Sequence, residues 1–262
     1  MRLKHMLGGV ALALLLFCGN AQAAQTVTDE NFVHMLRQVL RENPDVVMDV
    51  LRQNSESVLD IAQQGSTLRR KRSLEAQWRE DAKEPKAVTL DGRPVMGPAK
   101  APVTIVAFSD FTCPYCEQGA LTVQRIADAY AGKVRYIFKH MPLGKDNVGR
   151  LASEYFIAAG MQSQEKAWVL YKEFFSQRER LMTEGEPFIK ACAQKAGLNM
   201  QKLATDLKSK KVRETLNEDL ADAKKLGVEG TPYFLVNNLV VRGALPHELF
   251  KDAVDMALKN AK

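Results

Sequence analysis

Cysteine is scarce in this chain, with four residues in 262. Cys18 lies in an apolar N-terminal stretch, so three cysteines remain in the body, too few to staple a fold with disulfides. Histidine is equally sparse. His34, His140 and His247 are scattered, and with Cys192 they do not form the second ligand pair at short spacing that structural zinc requires. Long hydrophobic runs are missing as well: Leu7 to Cys18 is too short for a membrane span, and no later segment approaches the needed length. Basic charge is not concentrated either. The net charge is +6, and the one dense run, Arg69-Arg70-Lys71-Arg72, suits a solvated helix face, so nucleic acid is not an expected partner. The methionines are dispersed rather than grouped as copper ligands. Apolar residues, at 46%, are ample for a packed core, so a thiol pair is not needed to hold the fold together.

What is present begins with an export signal. Arg2 and Lys4 precede the apolar stretch, and Ala21-Gln22-Ala23 supplies a small-x-small cleavage site. Residues 1–23 are expected to be a cleaved signal peptide and the protein to be periplasmic. Cleavage takes the net charge from +6 to +4. A lipid-modified Cys18 is disfavoured by the bulky Phe17 immediately before it.

The most informative run is Asp110-Phe111-Thr112-Cys113-Pro114-Tyr115-Cys116-Glu117. Two thiols with two residues between them can close a strained disulfide or clamp a soft metal. Pro102 to Phe108 ahead of them is β-branched and reads as a buried strand. Pro114 suits the first turn of a helix, and Ala120, Leu121, Val123, Ile126, Ala127 and Tyr130 give that helix its apolar positions. Cys113 is thereby placed at a helix N-terminus, where unpaired N–H groups and the macrodipole stabilise a thiolate. A purely structural disulfide is the alternative, although so tight a loop restrains the unfolded chain little. Cys192, spaced helically from Phe188 and Ile189, reads as a buried apolar residue. Trp78 and Trp168 read as packing residues, and His140 as structural.

The body divides in two. Residues 24–84 are expected to be a helical segment and linker, with helical periodicity from Thr28 to about Ala82: a first helix with Phe32, Val33, Met35, Leu36, Val39 and Leu40, a break at Asn43-Pro44, and a second with Val46, Val47, Val50, Leu51, Val58, Leu59 and Ile61. Gly65-Ser66-Thr67 is expected to weaken the second before a charged stretch. Amphipathic helices with no private core find a partner, and packing back on the rest of the chain is the alternative to self-association. Lys83-Glu84-Pro85-Lys86 marks the expected boundary. In 85–262, Asp91-Gly92 suggests a short hairpin between Val88-Thr89-Leu90 and Arg93-Pro94-Val95. A strand follows at 133–138, then a helical block at about 147–226, strands at 233–237 and 239–242, and a last helix from about 246 to 261. That order predicts an α/β fold with an all-helical insertion.

Three motifs carry a family resemblance: Phe108-Ser109-Asp110-Phe111-Thr112-Cys113-Pro114-Tyr115-Cys116, Lys139-His140-Met141-Pro142-Leu143 and Gly227-Val228-Glu229-Gly230-Thr231-Pro232-Tyr233-Phe234. From about Pro98 onward the chain resembles the DsbA-like periplasmic thiol–disulfide oxidoreductases. The resemblance implies a thioredoxin fold with the helical insertion, preceded by an N-terminal helical oligomerisation segment. It implies Cys113 as nucleophile, Cys116 as resolving thiol, Pro114 and Tyr115 as redox-tuning residues, and Pro232 as a cis proline beside the thiols. Thr231 is implied to offer its backbone to an extended substrate. Oxidases of the family commonly carry Val where Thr231 stands, whereas isomerases and the suppressor-of-copper-sensitivity type, ScsC, carry Thr. The N-terminal extension also looks like that of ScsC. Many relatives place a Glu near the end of the strand before the cysteines, thought to relay protons, and Ala107 occupies that position here.

The function so implied is a homo-oligomeric disulfide isomerase or reductase acting on exported proteins with cysteines, with a trimer favoured over a dimer. It needs no cofactor beyond the redox-active Cys113–Cys116 pair and is kept reduced by a DsbD-type membrane reductase. The alternatives are a dithiol oxidase served by a DsbB-type membrane oxidase, and a copper-tolerance protein holding Cu(I) on Cys113 and Cys116, whose thiolates suit that soft ion.

Overall fold

The computed structural model describes residues 29–144 and 147–261. The expected signal peptide lies outside the described residues. By compactness the chain divides into Met1–Gly65 and Ser66–Lys262.

The first unit contains α1 (Asp29–Glu42), α2 (Pro44–Gln53) and the start of α3 (Ser55–Asp81). Pro44 opens α2 at its first turn, as the Asn43-Pro44 pair predicts. A second break, not expected, falls at Asn54, whose backbone N–H and side-chain amide both bond to the Val50 carbonyl. The apolar stripes are exposed. Phe32 and Met35 are each 50% exposed, Leu59 57% and Ile61 69%.

α3 runs unbroken through Gly65, contrary to the expected weakening there. One glycine inside a helix costs about 1 kcal/mol relative to alanine, too little to break 27 residues rich in Leu, Arg, Glu and Ala. The later part of α3 belongs with the second unit. Trp78 is fully buried and its Nε1–H donates to the Val240 carbonyl at 2.8 Å. Asp81 accepts from the Val240 N–H at 3.0 Å, and Lys71 pairs with Asp252 at 2.8 Å. The chain therefore divides inside α3 rather than at Lys83–Lys86.

The second unit is built on a five-stranded sheet of order β1-β3-β2-β4-β5. Its strands are β1 (Val95–Met96), β2 (Val103–Ser109), β3 (Val134–His140), β4 (Tyr233–Val236) and β5 (Leu239–Arg242). β2 and β3 are parallel and joined by α4 (Pro114–Ala129), while the other pairings are antiparallel. β2 lies at the centre, which its β-branched composition suits. The hairpin expected around Asp91-Gly92 does not form. Gly92 makes a turn with φ +73°, but the Thr89 N–H donates to the Asp222 carboxylate and its carbonyl accepts from Lys139. Side chains thus take the backbone groups that a ladder would need.

Between β3 and β4 lie α5 (Asn147–Gln162), α6 (Gln164–Ser176), α7 (Arg178–Glu184), α8 (Glu186–Lys195), α9 (Met200–Leu207) and α10 (Lys210–Lys225). Ser163, Asn199 and Ser209 cap three of them by accepting backbone N–H bonds. α11 (His247–Asn260) closes the chain. Two interactions fasten the insertion to the sheet. Phe111 and Phe138 stack at 4.7 Å and meet Phe156, Tyr171 and Phe175. Beside them, Asp219 of α10 pairs with Arg93 at 2.8 Å and with Lys139 of β3 at 2.9 Å, all but sealed from solvent.

Candidate active site

β2 ends at Ser109, and the chain turns through Asp110–Thr112 into α4. The turn is held by the buried Asp110. Its Oδ1 accepts from the Thr112 N–H and hydroxyl at 2.9 and 2.8 Å, and its Oδ2 accepts from the Leu143 N–H at 3.0 Å. Gly149 of α5 abuts the turn so closely that a Cβ there would sit 2.6 Å from Asp110 Oδ1. With its oxygens engaged, Asp110 is a shaping residue. Its backbone N–H points at Cys116 Sγ, 3.5 Å away.

Cys113 is the N-cap of α4, with extended φ −81° and ψ 123°, and Pro114 follows in the first turn. The Cys113 carbonyl accepts from the N–H groups of both Cys116 and Glu117. The two thiols face different surroundings: Cys113 is half-buried, whereas Cys116 is 1% exposed. Across from them the Thr231–Pro232 peptide bond is cis, and Cys113 Sγ lies 3.7 Å from the Thr231 carbonyl. Gly119 permits this approach, because a Cβ there would meet the Phe234 ring at 2.9 Å and Pro232 at 3.3 Å.

The pair is strongly polarised. Cys113 is lowered to about 5, first by the Cys116 thiol and then by the Thr231 side chain and the backbone N–H groups of Cys116 and Tyr115, against an opposing effect of burial. Cys116 is pushed far up, chiefly by burial and next by the Cys113 sulfur. The buried Thr231 hydroxyl has no partner of regular hydrogen-bond geometry, yet it lies where it favours the anion on either sulfur. Such a site can hold an exposed nucleophilic thiolate beside a masked second thiol.

The structure brings Cys113, Cys116, Thr231 and Pro232 together. Pro114 and Tyr115 project to the surface, Tyr115 being 61% exposed. His140 is buried among Phe111, Phe138 and Phe156, and burial lowers it to about 4. Cys192 is buried in α8 and raised to about 11, mainly by that burial. Trp168 packs against Tyr136, Phe156 and Tyr171. Ala107 is fully buried, in register with Phe138, so the strand position for which the resemblance implies a Glu is held here by an apolar pair. Leu121, one of the apolar positions that point to α4, is 62% exposed and lines a cleft with Tyr171 and Phe175. Among the described residues, no group of three or more His, Cys, Asp or Glu side chains gathers as a metal site. Gly119, against Pro232 and Phe234, and Arg178, which donates to Glu117 and to the Thr112 carbonyl, belong to the site and were not foreseen. Gly119 left a trace, as a glycine in a helix interior, while Arg178 left none.

Residues 89–256 match the family model described as Thioredoxin. The chain is 32% identical over 174 residues to the probable disulfide bond formation protein D of Bacillus anthracis, covering 63% of this chain and 77% of that one. It spans only about a quarter of the NhaA Na+/H+ antiporter of Salinispora arenicola that it also matches. Among solved structures it is similar to a periplasmic thioredoxin-like protein of Salmonella enterica serovar Typhimurium, with 25% identity and a TM-score of 0.56 over 64% of this chain and 91% of that one. The fold alone is shared with ScsC of Proteus mirabilis in its compact conformation, at 22% identity and a TM-score of 0.58 over 85% and 99%.

Proposed function

We infer the function from one premise: the chain belongs to the thioredoxin family and is a thiol–disulfide oxidoreductase of the DsbA-like kind. The finer reading is a periplasmic disulfide isomerase or reductase of the ScsC type, working on exported proteins and kept reduced by a DsbD-type partner. The observation that carries the chemistry is geometric: a half-buried Cys113 at the N-cap of α4, facing the Thr231 carbonyl at 3.7 Å, beside a Cys116 that is sealed from solvent.

The Cys113 thiolate attacks one sulfur of a substrate disulfide. A bond forms between Cys113 and that sulfur, and the other substrate sulfur leaves as a thiolate. In isomerisation, a different substrate thiolate then attacks the mixed disulfide, restoring the Cys113 thiolate with no net electron transfer. In reduction, Cys116 loses its proton and attacks Cys113 Sγ. The substrate departs as a dithiol, and two electrons have passed to it as the Cys113–Cys116 disulfide closes. The Thr231 carbonyl, 3.7 Å from Cys113 Sγ, is placed to pair with an extended substrate backbone.

Preference for isomerisation rests on Thr231 and on the first unit. Phe32, Met35, Leu59 and Ile61 are half to two-thirds exposed, and covering each gains roughly half of the about 1.5–3 kcal/mol that full burial of such a side chain provides. A second and third copy would bury the same stripe on every subunit in closed symmetry. The mature chain is expected to be a trimer that refolds a scrambled disulfide protein. A chain starting at Ser66, which keeps Trp78 in its core, is expected to be a monomer that oxidises dithiols but no longer isomerises. Light scattering and a scrambled-substrate assay on both chains test this, and a monomeric full-length protein overturns the oligomeric reading.

Thr231→Val removes the hydroxyl near both sulfurs and is expected to raise the pH at which Cys113 ionises, read as thiolate absorbance. A gain in dithiol oxidation in that variant would then come from substrate release, not from thiol acidity.

A further inference from the structure

Arg178 opens α7 in the helical insertion, distant in sequence from either cysteine, and reaches the redox turn from the side. Its Nε donates to Glu117 Oε2 at 3.0 Å, and its Nη1 donates to the Thr112 carbonyl at 3.2 Å. One guanidinium thereby grips the residue before Cys113 and the residue after Cys116. Two neighbouring carbonyls have internal partners, Asp110 O taking the Cys113 N–H and Cys113 O taking those of Cys116 and Glu117. Thr112 O is satisfied from outside the turn, by Arg178.

Charge adds to the geometry. Glu117 lies in the first turn of α4, close behind the N-cap. A carboxylate there suits the helix dipole but repels a thiolate at Cys113. Arg178 sets a cation against it, and both side chains are only partly exposed, 22% and 38%, so water screens the pair incompletely. Asp110 is engaged by Thr112 and Leu143, and Arg180 by Glu184, while Lys172 of α6 lines a cleft with Glu117 and adds a second cation on that side without an ion pair to it. Glu179 lines the same cleft as Arg178, and Glu229 lies in the cleft beside Thr231.

We propose that Arg178 is a positioning residue for Cys113: it fixes the peptide ahead of the thiol and neutralises Glu117 behind it, so that the insertion holds a thiolate-favouring geometry at the start of α4. This rests on Cys113 being the nucleophile, and it gives the helical insertion a direct part in the chemistry of the thioredoxin unit.

The test uses the full mature chain and titrates Cys113 by thiolate absorbance and by alkylation rate, alongside insulin reduction. Arg178→Gln is expected to raise the Cys113 pKa by roughly half a unit, the size of one helix-terminus charge, slowing alkylation at pH 5 about twofold. Glu117→Gln is expected to lower it. The double variant returns close to the native value, and Arg178→Lys, which keeps the charge, shifts it less than Arg178→Gln. Circular dichroism and the denaturant midpoint show whether each variant is folded. If Arg178→Gln is folded and leaves the titration unchanged, or if Glu117→Gln does not reverse its effect, the proposal is wrong. If native Cys113 itself titrates as an ordinary thiol, the nucleophile assignment fails instead.

Discussion

Cys113→Ser is expected to reduce disulfide exchange to the uncatalysed background, while Cys116→Ser accumulates covalent adducts with substrate. The two outcomes follow from the unequal exposure of the thiols. Cys113 is the half-buried N-cap that a substrate disulfide can approach, and a serine hydroxyl there forms no mixed disulfide. Cys116, at 1% exposure and with a raised pKa, cannot act as substitute nucleophile. In Cys116→Ser the first bond still forms but no internal thiol breaks it, so the adduct persists until an external thiol arrives. Serine is tolerated at that position because the Asp110 N–H already points at it. Non-reducing electrophoresis and mass spectrometry read both results. Adducts on Cys116 in the Cys113→Ser protein would reverse the assignment.

Asp219→Ala is expected to be among the most destabilising single changes in the second unit. The Asp219 side chain is fully buried; its Oδ1 accepts from Arg93 Nε and Nη2 at 3.1 and 2.8 Å and lies 2.9 Å from Lys139 Nζ, and its Oδ2 accepts from the His140 N–H at 2.9 Å. Removing it takes the fully buried carboxylate from two buried cations, leaving Lys139 with Asp222 and the Thr89 carbonyl, each at 2.7 Å, and Arg93 with the half-exposed Glu218 at 3.0 Å. Breaking a buried pair from one side costs about 3–5 kcal/mol, a large share of the roughly 5–15 kcal/mol that holds a typical domain. Glu218→Ala next door is the control. Its side chain is 45% exposed, and the loss should stay below about 1 kcal/mol. Denaturant midpoints compare the two, and equal midpoints would show that the buried cluster is not what fastens α10 to the sheet.

The elements around the thiols were legible because local signals and tertiary packing agree there. The β-branched run before Asp110 became β2, Pro114 began α4, and the Thr-Pro motif faces Cys113. Where long-range partners decide, local signals misled. Val88–Leu90 reads as a strand arm, but its backbone is claimed by Asp222 and Lys139. Leu121 sits at an apolar helical spacing, yet it is 62% exposed in the cleft it lines with Tyr171 and Phe175. Gly65 looks like a breaker, but one weak residue does not outweigh the helix formers around it. Arg178 was invisible for the same reason: its partners lie 61 and 66 residues away, and nothing in its neighbourhood marks it.

Acidity at Cys113 also ties redox state to stability. Its pKa is depressed in the folded dithiol, so the thiolate's stabilisation is present above the unfolded thiol's range of about 8.5 and is lost as pH falls through about 5. The oxidised form has no such thiolate. The stability advantage of the reduced form is therefore expected to grow as pH rises from about 5 towards 8.5. The measurement closest to the central claim is the pH titration of thiolate absorbance in the reduced full-length protein. Cys116 and Cys192 are both displaced upward, so a transition at low pH belongs to Cys113. A midpoint near 5 is the predicted result; a single transition in the ordinary range near about 8.5 would contradict it.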